Sequence, residues 1–139
     1  MRLTRGKYTS YVPGLDLVAF NPKTSQRLGI TVKSRTRNIG KEGTQVNIFS
    51  YRKERNDRQK LIDACTSFGC EPWIAVYVET SQFADLYLTS LNNYDSKYRP
   101  NQGRALDTWK MSPKYRALYG RDKEVKHIRA DFLQESWNW

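Results

Sequence analysis

The sequence is poor in the side chains that most often build metal and redox centres: one histidine and two cysteines in 139 residues. With His127 as the lone histidine, a His-based metal site or a Ser-His-Asp triad is poorly supported, and His127 is read as a surface or strand residue. Cys65 and Cys70 cannot make the disulfide framework of a small secreted fold. They are read as reduced thiols of a cytoplasmic protein, with Cys65 in the core. No apolar run approaches the roughly 18 residues of a membrane-spanning helix. The opening Met1-Arg2-Leu3-Thr4-Arg5 leads into no apolar stretch, so no secretory leader is expected. Glycine-rich phosphate loops, internal repeats and low-complexity tracts are all absent from the sequence.

What is present is apolar and aromatic enough to fold: 38% hydrophobic and 13% aromatic residues, at a length that fits one domain. The net charge of +10 is unevenly placed. Residues 1–60 hold 14 Lys/Arg against 4 Asp/Glu, and residues 61–139 hold 10 of each, so the whole excess lies in the first 60. A concentrated positive field attracts polyanions, of which nucleic acid is the commonest. The alternative is charge that serves solubility alone. A membrane surface is disfavoured, because the basic residues sit among strand-like segments rather than on one amphipathic helix.

Along the chain, 15–20 is a short apolar strand, 21–25 a turn cluster, and 27–33 a second strand, together an antiparallel hairpin with a loop of about six residues. Residues 34–44 read as a basic loop, and 45–49 alternate as a third strand. A helix is expected from about Glu54 to Phe68, with Leu61, Ile62, Cys65 and Phe68 on one stripe and Gly69 as its stop. Strands follow over 73–78 and 84–89, then a polar, loop-rich stretch over 92–108. Ser112-Pro113 opens a helix to about Tyr119, and His127 to Leu133 reads as a last strand. The order predicts an α/β fold, a mixed central β-sheet with flanking helices and a crossover helix between its halves. It is read as one domain over 1–139, a core over 1–90 with an extension over 91–139 packed on it.

Residues i and i+2 of a strand share a face, so Thr31 and Lys33 point one way and Ile30 and Val32 the other. A register pairing Phe20 with Arg27 sets Asp16 opposite Thr31, with Lys33 on the diagonal. A carboxylate, a hydroxyl and an ammonium then converge on one polar patch. The carboxylate suits Mg²⁺, and the lysine a phosphate or an attacking water. The same three residues also fit a simple surface ion pair.

Pro13-Gly14-Leu15-Asp16-Leu17-Val18, the turn, and Gly29-Ile30-Thr31-Val32-Lys33-Ser34 resemble the core motif of the PD-(D/E)XK nuclease superfamily, an aspartate on one hairpin strand and acid-x-lysine on the next. The run from Leu61 to Val76, a helix ending at Phe68-Gly69 and a strand opening at Pro72, is similar to the segment following that motif in archaeal Holliday-junction resolvases. The resemblance spans about residues 3–90. It implies a restriction-endonuclease-like core, Mg²⁺-dependent endonuclease activity on DNA, and a homodimer.

On this reading Asp16, Thr31 and Lys33 are the catalytic set. Asp16 is the metal ligand, and Lys33 steadies the attacking water or the scissile phosphate. Lys33, Arg35, Arg37 and Lys41 hold the nucleic-acid backbone, and Arg55 and Arg58 extend the track. Thr31 stands where the family's second acid is expected, and a hydroxyl brings no charge, so metal affinity should fall. Glu42 or Glu54 could supply a displaced carboxylate. The helix that usually precedes the first strand of the family is not found here: either the true start lies upstream of Met1, or the protein lacks the element. A catalytically inactive DNA-binding module on the same fold is therefore an alternative. So is a protein-interaction domain that uses the aromatic tail. Tyr94, Tyr98, Trp109, Tyr115 and Tyr119 either stack on bases or cover a core edge.

Overall fold

The computed structural model describes residues 13–40, 45–53, 55–100 and 105–132, and the backbone of 2–5 and 8–11. Two short strands, β1 (Arg2–Arg5) and β2 (Tyr8–Tyr11), pair antiparallel in a ribbon that the sequence reading did not anticipate. The expected hairpin follows. β3 (Leu17–Asn21) pairs antiparallel with β4 (Gln26–Thr36) in the register that joins Phe20 to Arg27 and Leu17 to Ile30. The ladder runs one pair further than expected, to Asn21 and Gln26, so the turn is Pro22 to Ser25. Asn21 Oδ1 accepts the Lys23 N–H at 3.0 Å, and Ser25 takes a positive φ of 56°.

Helix α1 (Asp57–Phe68) crosses over from β4 to β6 (Glu71–Glu79), which pairs parallel with β4. The helix begins three residues later than the sequence reading placed it, because Asn56 is its cap and accepts the Gln59 N–H at 2.9 Å. It ends as expected, on Gly69 in the left-handed region at φ 61°. β7 (Phe83–Ser90) returns antiparallel to β6. After α2 (Leu91–Lys97), β8 (Leu106–Lys110) and α3 (Pro113–Arg121), β9 (Val125–Asp131) closes the five-stranded sheet β3-β4-β6-β7-β9. β5 (Gln45–Ser50) is a strand, but it pairs with β8 in a separate two-stranded ribbon. The described chain is thus mixed α/β, with a mixed central sheet.

The register puts Gly29, Thr31, Ile74, Val76, Tyr87 and Thr89 on one face of the sheet. All three described helices meet that face. Cys65 of α1 lies on Gly29, Asn93 of α2 bonds Thr89 Oγ1 at 3.0 Å, and Tyr119 of α3 stands edge-on to Tyr87. Leu15, Val46, Phe49, Leu61, Ile74, Val76 and Trp109 fill the space between, each almost wholly buried. On the opposite face Leu17 and Ile128 remain 54% and 62% exposed.

Residues 92–108 depart from the expected loop. Ser90 caps α2 by accepting the Asn93 N–H at 3.1 Å, and Leu91 and Tyr94, three apart, bury on one side. Seven residues are too few to show a helical period among polar neighbours. The aromatic tail is interior. Trp109 stacks on Tyr119 at 4.1 Å, Tyr94 and Trp109 are buried, and Tyr98 and Tyr115 pack partly buried against them. Base stacking by this set is therefore excluded for the buried members, and the core reading holds for them. No helix among the described residues is long and apolar enough to cross a membrane.

Candidate functional site

The hairpin, the first turn of α1 and the segment between them enclose a cleft of about 160 Å³ lined by Pro13, Gly14, Asp16, Thr31, Lys33, Phe49, Arg55, Asp57 and Lys60. Its edge is set by glycine chemistry. Gly14 has φ +80°, and a Cβ there would lie 2.8 Å from the Leu61 backbone nitrogen and the Lys60 carbonyl carbon. Only glycine allows the Pro13-Gly14 turn to sit directly on the backbone of α1. Leu15, fully buried, anchors the next residue, and Asp16 follows at the surface.

Asp16 donates its N–H to the Ile30 carbonyl at 3.0 Å, which extends the hairpin ladder past Leu17. Its Oδ2 accepts the Val32 N–H at 2.7 Å and the Thr31 hydroxyl at 3.3 Å. The juxtaposition of Asp16 and Thr31 is the one the register implied. Oδ1 has no hydrogen-bond partner among the described residues. Lys33 lines the same cleft, and its ammonium makes no ion pair among the described residues.

The second carboxylate in the cleft comes from a residue the sequence reading missed. Asp57, the first residue of α1, accepts the Ser50 N–H on Oδ2 at 2.9 Å and the Arg55 guanidinium on Oδ1 at 3.2 Å. Its side chain is only 14% exposed. The helix N-terminus is electrostatically favourable for this anion. Lys60, three residues on and so on the same side of the helix, adds a second ammonium to the lining that makes no ion pair among the described residues. The available signal was the Asn-Asp pair at the helix start followed by lysine at i+3, a pattern that also serves as an ordinary cap.

The other named residues are scattered. Arg55 lines the cleft, with its side chain 61% exposed. Arg58 does not line it. It turns to Asp95 of α2, with its Nε 3.3 Å from one carboxylate oxygen and a closer contact from its terminal nitrogen to the other. Arg35 is exposed and donates to the Ser34 carbonyl at 2.7 Å. Arg37, just past β4, is half-buried, and its Nε has no hydrogen-bond partner among the described residues. Lys41, Glu42 and Glu54 lie outside the described residues. Cys65 is core as expected. Burial pushes its thiol up to about 11, and Sγ contacts the Gly29 carbonyl at 3.7 Å. His127 bonds the buried Asp85 at 2.8 Å and stacks on Tyr87 at 4.4 Å, away from the cleft lining.

Chemically, the cleft offers two carboxylates, one hydroxyl and three cations. Among the described residues no cluster of three or more His, Cys, Asp or Glu could hold a metal ion. Two carboxylates nonetheless fit Mg²⁺, which commonly takes one or two from protein and completes its shell with water and substrate phosphate. Comparison with protein-family models, with curated proteins and with solved structures finds no match to the chain.

Proposed function

We propose that the protein binds DNA through this cleft and hydrolyses a phosphodiester bond there with Mg²⁺, as a PD-(D/E)XK-like endonuclease whose second acid comes from α1. The observation that carries the reading is the meeting of Asp16, Lys33, Asp57 and Lys60 in one cleft. The hairpin register, the parallel β4–β6 pair and the crossover by α1 support the nuclease-like core.

Asp16 and Asp57 would hold the ion, Asp16 through Oδ1, which has no hydrogen-bond partner among the described residues. A bound Mg²⁺ supplies a more acidic water and neutralises phosphate charge. Lys33 and Lys60 bind the non-bridging phosphate oxygens and stabilise the charge that grows there. Thr31 cannot replace a carboxylate as a charged ligand. It donates its hydroxyl to Asp16, holding that carboxylate toward β4.

A second reading, a DNA-binding module without catalysis, is favoured by one feature. Both Asp57 oxygens already have partners in Ser50 and Arg55. The two readings separate in a cleavage assay with end-labelled four-way junction and plain duplex DNA. Mg²⁺- or Mn²⁺-dependent cuts support the enzyme. A shifted but uncut DNA supports the module.

A further inference from the structure

The Pro13-Gly14 turn divides the surface along α1 in two. On the side toward the helix start lies the cleft. On the other side lies a groove of about 320 Å³ lined by Pro13, Lys60, Asp63, Ala64, Ser67 and Phe68. Pro13 and Lys60 line both, so the two spaces adjoin at one residue of the turn and one lysine. Their chemistry differs. The cleft is charged. The groove has walls of proline, alanine and phenylalanine, with a carboxylate and a hydroxyl at its rim. Asp63 and Ser67 are exposed, and Phe68 is half-buried.

We infer that this groove takes one unstacked nucleobase of the DNA, from a nucleotide beside the phosphate held in the cleft. This rests on the functional reading above and deepens it, because it makes the substrate a DNA with an unpaired nucleotide at the cut, not uninterrupted duplex. Three features favour a base over a peptide side chain. The groove adjoins a cleft lined by Lys33 and Lys60, neither in an ion pair among the described residues, as a base adjoins its phosphate. A mainly apolar lining suits a base, which has a π-face whatever its identity. The rim presents acceptors in Asp63 and in Ser67, whose hydroxyl donates to the Asp63 carbonyl at 3.0 Å, and these match the donor groups on the polar edge of a base rather than an aliphatic chain. Asp63 Oδ1 already accepts the Gln59 amide at 2.8 Å, which steadies the carboxylate at the rim. Lys60 sits where the linking phosphate would pass.

The test separates this site from the cleft by using two signals on one DNA, measured without divalent ion. A duplex with a single unpaired 2-aminopurine nucleotide carries a distant dye. Dye anisotropy reports binding, and 2-aminopurine fluorescence reports the environment of the base. Expected for the protein are a rise in anisotropy and quenched 2-aminopurine. An abasic nucleotide at that position should weaken binding about tenfold, in line with the cost of losing one stacked base. Phe68→Leu keeps the apolar bulk that packs on the core but removes the ring. Ser67→Leu narrows the groove from its exposed side. Each should lose most of the quenching while anisotropy still titrates, with circular dichroism confirming the fold. Binding with unchanged 2-aminopurine fluorescence would overturn the base site and leave the cleft intact. So would quenching that survives both substitutions. No rise in anisotropy would overturn the DNA reading itself, and this site with it.

Discussion

Asp16 and Asp57 enter one cleft from separate elements, and each is fixed by a main-chain N–H, that of Val32 at 2.7 Å and that of Ser50 at 2.9 Å. One precedes the first strand of the central sheet; the other opens the crossover helix. Backbone donors hold the two carboxylates in place before any ligand arrives, so little ordering is left to binding. Asp16 also receives the Thr31 hydroxyl, and Asp57 the Arg55 guanidinium. On the proposed reading, Asp57 supplies from another part of the chain the acid that is absent at Thr31.

The cations of the cleft and Arg58 should behave differently. Lys33→Gln and Lys60→Gln each remove from the lining an ammonium that makes no ion pair among the described residues. Each should weaken DNA binding and lower the slope of log K against log salt by about 1. Arg58→Gln should leave that slope unchanged, because the guanidinium is already bound to Asp95. It should instead cost about 1–2 kcal/mol of stability, since the half-buried Asp95 loses its partner. Anisotropy titrations between about 50 and 200 mM salt, with thermal melts of the same variants, check both.

The packing of the crossover helix rests on a missing side chain. A Cβ on Gly29 would lie 2.4 Å from Cys65 Sγ, 3.0 Å from Leu15 and 3.2 Å from Cys70. Gly29→Ala should therefore destabilise the protein by about 1–3 kcal/mol. Adding Cys65→Ala removes the nearest atom and should recover part of that loss, whereas two independent sites would add. Chemical denaturation of the two single variants and the double variant measures the coupling.

Asp122 ties α2, α3 and β9 together. It accepts from the Tyr98 hydroxyl at 2.6 Å, the Asn93 amide at 3.1 Å, the Glu124 N–H at 2.9 Å and the Lys97 ammonium at 3.2 Å. Burial alone would push its carboxyl up, but these donors outweigh it and hold the group well below the usual carboxylate range. A carboxyl with a lowered pKa in the fold adds stability above its unfolded value of about 3.9, and loses it as pH falls through the folded value. The melting temperature of Asp122→Asn should lie below that of the unaltered protein at neutral pH. The gap should begin to close below about pH 4. A gap constant down to pH 2 would contradict this assignment.

The hairpin was legible in the sequence because two apolar, partly β-branched runs flank an Asn-Pro turn; its register was an assumption, Phe20 opposite Arg27, that the structure bears out. From that register the approach of Thr31 to Asp16 follows. The stop of α1 at Gly69 was legible because an αL cap has a residue signature. Asp57 was not, because an aspartate at a helix start is explained locally by the dipole. Only tertiary packing shows that Ser50 and the hairpin bring it beside Asp16. β8 and α2 were hidden for a related reason. Their buried polar groups, Asp107 and Asn93, look like loop residues until their partners are seen. Asp107 is held by the Tyr51 hydroxyl at 2.6 Å and Arg99 at 3.3 Å. Burial and that contact push the Tyr51 phenol up to about 12.

The most direct test of the account is a cleavage assay on end-labelled four-way junction and duplex DNA with Mg²⁺ or Mn²⁺, comparing the protein with Asp16→Asn and Asp57→Asn. The account predicts metal-dependent cuts whose rate falls at least about 100-fold in either variant, with DNA binding retained in both. Cleavage that survives Asp57→Asn while disappearing in Asp16→Asn would contradict the claim that α1 supplies the second acid. Absence of cleavage by the unaltered protein, with DNA still bound, would contradict catalysis at this cleft altogether.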